Sequence, residues 1–215
     1  MGGRPRSASA RPLGYIARVL RPDAATLRFA AFPRSTAVDV ALVLGGALLV
    51  AIAAQLRIPL PFTPVPITGQ TFAVLLVGAS LGTVRGGVSL LLYVLLGAVG
   101  APFYAGGAHG FEVIAGATGG YLLSYPLAAA VTGALAERRW DRRMRSSVPA
   151  MLVGSAVIYL VGVSWLATFE GVGAGEALAL GMLPFVPGDL VKLVLAAAVL
   201  PGAWRTLERA RRPRP

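Results

Sequence analysis

Cysteine is absent from the 215 residues, histidine occurs once and lysine once. Without cysteine there is no disulfide, no thiolate nucleophile and no cysteine-ligated zinc or iron–sulfur centre. The one histidine, His109, has few carboxylates near it, which gives no basis for a metal site. Neither a two-histidine zinc signature nor a serine-hydrolase signature is present. A Walker A loop needs Gly-Lys followed by Ser or Thr. The single lysine, Lys192, is followed by Leu193, so an ATP-driven step would need its ATPase on a separate polypeptide. Charge is scarce as well: 13% of residues, against about 25% in a soluble domain.

What is present is apolar. Hydrophobic residues make up 56% of the chain and the mean hydropathy is +0.71. The apolar runs are continuous and rich in Ala, Leu, Val and Gly, not alternating as barrel strands would be. The composition predicts an all-α, multi-pass protein of the cell membrane. The net charge of +11 does not point to nucleic acid. Seven of the 20 basic residues lie in 1–36, five in 138–145 and five in 205–214. These clusters flank apolar segments, as cytoplasmic loops beside anionic lipid do.

Six hydrophobic segments can be drawn: Thr36–Leu56, Gly69–Leu81, Gly86–Gly100, Val113–Ala136, Pro149–Phe169 and Gly188–Trp204. A straight crossing takes about 20 residues, so the second and third are short. The arginine distribution alternates sides and puts both termini in the cytoplasm. The expected organisation is a basic cytoplasmic arm over residues 1–35, a six-helix membrane domain over 36–204 and a basic cytoplasmic tail over 205–215. The first 30 residues carry arginines throughout and do not read as a cleavable signal peptide.

The loops expected on the outer side are distinctive. Ile58–Thr68 carries Pro59, Pro61, Pro64 and Pro66, which cannot sit in a helix interior and make a stiff, extended segment. Gly100–Phe111 is glycine-rich and aromatic. The third outer loop leads into FVPGD. Stiff loops over a polar pocket suit capture of a small solute, although each alone also reads as an ordinary connector.

The strongest chemical signal is Asp189 with Lys192, three residues apart inside an apolar run. That spacing puts them on one helix face. A charge at bilayer depth costs at least about 2.5–3.5 kcal/mol on insertion scales. The pair either recognises a polar solute or neutralises itself structurally. Gln70, with Thr68 and Thr71, opens the second segment and suits ligand recognition or helix capping. The Tyr93 hydroxyl, mid-segment, needs a partner from ligand or protein. GATGGY, Gly116–Tyr121, reads as close helix packing or as a site wall in which Thr118 meets ligand. Ala41, Gly45, Ala47 and Ala51 form a small-residue series on the first segment, read as a docking face for another membrane subunit or as internal packing.

Taken in order, PVPITGQTFAVLLVGASLG, GGVSLLLYVLLGAVGAPFYAGG, GATGGYL and FVPGDLVKLVLAA resemble the BioY family, the biotin-specific S-components of energy-coupling factor (ECF) transporters. Many members have a proline where this chain has Ala117. The resemblance implies the six-helix S-component fold, one biotin bound near the outer face, no enzymatic reaction and no cofactor. It implies partners: a transmembrane coupling protein and a pair of ATPases. Biotin has a ureido ring, an apolar thioether ring and tail, and a carboxylate. Asp189 suits the ureido N–H groups, Lys192 a carbonyl or the carboxylate, and Tyr93, Phe103, Tyr104 and Trp165 the apolar parts. The alternative is a self-sufficient secondary carrier for biotin or another small vitamin.

Overall fold

The computed structural model describes residues 26–33 and 35–211. The elements in chain order are α1 (Leu27–Ala31), α2 (Thr36–Gln55), β1 (Arg57–Ile58), β2 (Ile67–Thr68), α3 (Gln70–Leu81), α4 (Thr83–Ala98), α5 (Phe111–Ala115), α6 (Gly119–Glu137), α7 (Met144–Glu170), α8 (Ala174–Gly181) and α9 (Val186–Arg211). Helices α2, α3, α4, α6, α7 and α9 correspond to the six apolar segments. Among the described residues, three helices are long and apolar enough to cross a membrane: Thr36–Gln55, Met144–Glu170 and residues Val186–Ala210 of α9.

The apolar surface points both inward and outward. Leu44, Leu48 and Ile52 on α2, Leu160 on α7, and Val191 and Leu195 on α9 are all exposed. In water such a surface is an aggregation liability; in a bilayer it faces acyl chains at no cost. The chain is a membrane protein. The helix interiors meet in a core containing Val50, Val74, Leu90, Tyr93 and Ala128, continued by Leu75, Ala79, Met151, Ala196 and Leu200 between α3, α6, α7 and α9.

The short α3 has a physical reason. It packs against α2, α4, α6, α7 and α9, and its residues are mostly buried, from Gln70 to Leu81. A helix enclosed by protein need not match the bilayer's thickness. The start of α4 is three residues earlier than the apolar run suggests. Glu137 at the end of α6 accepts hydrogen bonds from the Thr83 N–H (2.9 Å) and hydroxyl (3.0 Å), so this helix end is capped by another helix.

Two connections differ from the sequence reading. The proline-rich loop is held by a short antiparallel ladder, Arg57 opposite Thr68 and Ile58 opposite Ile67. Its four prolines lie between the strands, where no ladder donor is lost. The Thr63 hydroxyl donates to the Leu180 carbonyl at 2.8 Å, tying the loop to α8, a helix within the third loop. The fourth apolar segment is broken at Gly116–Thr118 into α5 and α6. At Gly120 a Cβ would come within 2.2 Å of the Trp165 Cβ, so glycine lets α6 and α7 touch.

At the other end of the bundle, part of the segment assigned to the arm is built in. Residues 1–25 lie outside the described residues, but α1 is docked. Arg28 is buried; its guanidinium donates to Asp39 Oδ1 at 2.7 Å and to the carbonyls of Phe32 (3.2 Å) and Pro33 (3.0 Å). Arg85 holds the other Asp39 oxygen at 2.8 Å. The Phe29 ring lies 5.1 Å from Arg28 Cζ and 4.9 Å from Arg85 Cζ. The boundary drawn at Trp204 falls within α9, which stays helical through Pro201 to Arg211.

The small-residue series on α2 is not one face. At 3.6 residues per turn, Ala41 and Gly45 lie roughly 120° around the helix from Ala47 and Ala51. Ala41 and Gly45 are exposed; Ala47 and Ala51 are buried in the core. A docking surface made of all four is therefore ruled out.

Candidate ligand-binding site

Under the proline loop lies a cavity of about 300 Å³, at the lower end of the usual range for small-molecule pockets, about 300–1,000 Å³. The first turns of α3, α6 and α9, the middle of α7 and the Tyr104–Ala108 loop enclose it. Antiparallel packing produces this arrangement: α3, α6 and α9 begin at the end where α2 and α4 finish.

Asp189 and Lys192 both line the cavity. Asp189 is in the first turn of α9, where the helix dipole favours an anion. Its Oδ1 accepts from Lys192 Nζ at 2.8 Å and from the Thr71 hydroxyl at 3.3 Å. Its Oδ2 accepts from the Tyr159 hydroxyl at 2.5 Å. Lys192 Nζ also reaches Thr71 Oγ1 at 3.5 Å. Three helices thus converge on one carboxylate. The Lys192 and Asp189 side chains retain 22% and 12% exposure. A carboxylate offers about four acceptor positions and an ammonium three donors, so each partner keeps capacity for a guest.

A second polar cluster sits beside the first. Gln70, which lines the cavity, is nearly buried. Its Oε1 accepts from Thr68 (2.9 Å) and Tyr125 (3.5 Å), and its Nε2 donates to the Tyr93 hydroxyl (2.5 Å). Tyr93 in turn donates to the Phe103 carbonyl at 3.3 Å. Tyr104 lines the cavity and donates its hydroxyl to the Val94 carbonyl at 2.6 Å. Burial pushes that hydroxyl up to about 12, so it stays a donor.

Of the residues singled out in the sequence, Asp189, Lys192, Gln70, Tyr104 and Thr118 line the cavity. Tyr93, Phe103 and Trp165 do not. Tyr93 is fully buried behind Gln70, with Phe103 stacked on it at a centroid distance of 6.3 Å. Trp165 is turned toward α6 and donates Nε1 to the Gly116 carbonyl at 2.9 Å. These three brace the wall. Tyr159, Tyr125 and Phe185 line the cavity and were not singled out. The signal for Tyr159 existed: it is a hydroxyl in mid-helix, as Tyr93 is. His109 is exposed, with Nδ1 3.2 Å from the Gly107 carbonyl. Among the described residues no three His, Cys, Asp or Glu side chains gather as a metal site would require.

Tyr159 and Asp189 also border a larger apolar groove, about 770 Å³, between α7, α8 and α9. The pair is therefore a partition, polar toward the cavity and backed by Leu160, Val163, Leu178 and Leu190.

Comparison with known proteins agrees with this architecture. The biotin transporter BioY of Rhizobium etli is 38% identical over 158 residues, covering 70% of this chain and 84% of that protein. The probable biotin transporter BioY of Pyrococcus horikoshii is 40% identical over 151 residues, covering 70% and 86%. The crystal structure of the S-component for biotin from an ECF-type ABC transporter superposes with a TM-score of 0.73 at 23% identity, over 80% of this chain and 95% of that one; at this identity the likeness establishes the fold. The BioY family description matches residues 25–209, which takes in every element from α1 to the cavity wall on α9, and the chain belongs to the BioY family.

Proposed function

We propose that this chain is a biotin-binding S-component that captures the vitamin at the outer face of the cell membrane and delivers it inward. It catalyses no reaction. The observation that carries this reading is the Asp189–Lys192 pair, held by Thr71 and Tyr159 on the wall of a cavity of about 300 Å³. A carboxylate with an acceptor position to spare beside an ammonium with a donor to spare matches one edge of a urea, which offers an N–H next to a carbonyl. Gln70 supplies a further uncharged donor, and Tyr104, Leu122 and Phe185 offer apolar surface for the thioether ring and tail. The names of the relatives, biotin transporters and a biotin S-component, support biotin over other small solutes.

In this reading α2, α3, α4, α6, α7 and α9 cross the membrane and both termini are cytoplasmic. The arginine-rich end, with Arg28, Arg85 and Arg138–Arg145, faces inside, and the cavity end faces out. Energy comes from partners, a transmembrane coupling protein and ATPases; the solved structure of similar fold is the S-component of an ECF-type ABC transporter, and this sequence holds no Walker A loop of its own. The exposed parts of α2 are available to them; Ala47 and Ala51 are not.

Mass spectrometry of small molecules released from the purified native protein tests the ligand. Biotin in stoichiometric amount is the expected result. Absence of biotin, with no binding of added biotin by titration calorimetry, would refute it.

A further inference from the structure

Among the described residues, three charged side chains line the cavity: Asp189, Lys192 and Arg57. The first two neutralise each other at 2.8 Å. Among the described residues, ion pairs engage Arg28, Arg85 and Lys192, and Arg57 has no carboxylate within ion-pair distance. The unbalanced charge of the cavity is therefore a single positive one, located on Arg57.

Its placement is built in. Arg57 stands at the first position of the β1–β2 ladder, opposite Thr68, so the strand pairing fixes its backbone at the rim. Its Nη1 donates to the Ala105 carbonyl at 3.4 Å across the mouth. The chain turns at Gly106 with φ +70°, and a Cβ there would come within 2.5 Å of Arg57 Nη1. Glycine at 106 lets the guanidinium lie against the loop backbone. One nitrogen is thus used for position, and the remaining N–H groups of the fork are free for an anion. The Asp189–Lys192 pair belongs to the first turns of α9, and Arg57 to the loop that covers the opening.

Building on the biotin reading, we infer that Arg57 is the carboxylate-reading residue of this site. It sets the ligand's direction: the ureido ring meets Asp189, Lys192 and Thr71, and the carboxylate-bearing tail points to the rim and pairs with Arg57. Specificity for an anionic over a neutral tail resides at Arg57, and recognition of the ring at the Asp189 cluster.

The test is titration calorimetry with two ligands, biotin and biotinamide, on the wild-type protein, Arg57→Gln and Arg57→Lys, at low and high salt. A charge-assisted fork contact at a solvated rim sets the scale. The wild type is expected to prefer biotin over the amide by about tenfold. Arg57→Gln should weaken biotin by about tenfold, leave the amide within about twofold, and reduce the salt dependence of biotin binding; Arg57→Lys should restore part of the preference. Unchanged biotin affinity in Arg57→Gln, or parallel loss of both ligands, overturns the assignment and leaves the biotin reading standing. A wild-type protein that binds neither ligand overturns both. Arg57 is exposed, so its replacement does not threaten the fold, and the amide comparison on the wild type needs no variant.

Discussion

Replacing Asp189 by asparagine keeps the volume of the side chain and one acceptor oxygen but removes the charge that Lys192, Thr71 and Tyr159 converge on. Stripping one partner from a fully buried ion pair costs about 3–5 kcal/mol. Here the two side chains keep 12% and 22% exposure, so water screens the orphaned ammonium in part and a stability loss of about 1–3 kcal/mol is expected. The effect on ligand is separate. A hydrogen bond to a charged acceptor contributes about 1.5–3 kcal/mol, so loss of one at the ring should weaken biotin binding by at least about tenfold. Lys192→Met should do the same from the other side. The double variant should lose less than the sum, because the second substitution removes the charge that the first one orphaned; the coupling should be about 1 kcal/mol or more. Titration calorimetry reads the affinity, and thermal unfolding in detergent confirms that each variant is folded. Wild-type affinity in folded Asp189→Asn would refute the reasoning, as would strict additivity in the cycle.

Tyr159→Phe removes one of three donors to Asp189 and should weaken biotin binding by about two- to tenfold, measured by the same titration. Tyr93→Phe leaves Gln70 Nε2 without its acceptor in a buried setting and should lower stability by about 1–3 kcal/mol, with an affinity loss that follows from a displaced Gln70; thermal unfolding and titration separate the two. Trp165→Phe deletes the bond to the Gly116 carbonyl, which joins α7 to the α5–α6 break. About 1 kcal/mol of stability should go while affinity stays near wild type, since Trp165 braces the wall without lining the cavity. Asp39→Asn strips the carboxylate from buried Arg28 and from Arg85. Asp39 lies about 24 Å along α2 from the cavity end, so thermal unfolding should shift downward with biotin affinity unchanged.

The parts legible in the sequence were those where one residue type contradicts its surroundings. Asp189 and Lys192 are charges in an apolar run, and both line the cavity. The prolines of Ile58–Thr68 forbid helix, and that segment is a loop. Apolar runs located the six helices, with their ends displaced by up to seven residues, as at the end of α9. What stayed hidden depends on neighbours that are remote in sequence. The start of α4 is set by Glu137, 54 residues away from Thr83. Tyr93 and Tyr159 look alike as hydroxyls in mid-helix, yet helix packing turns one toward Gln70 behind the wall and the other onto Asp189. Trp165 reads as a ring for an apolar ligand, but Gly120 opens a seat for it against α6. The α2 series shows the same limit: Ala41–Gly45 and Ala47–Ala51 each have helical spacing of four, but the step of two between the pairs puts them on different faces.

Lys192 has one more consequence. As the sole lysine, it carries the only ε-amine in the molecule, and that amine lines the cavity. An amine-selective acylating reagent applied to the folded protein has a single side-chain amine to react with, so an adduct mapped to that position becomes a footprint. Its rate with and without guest counts empty cavities directly, with no label engineered into the chain.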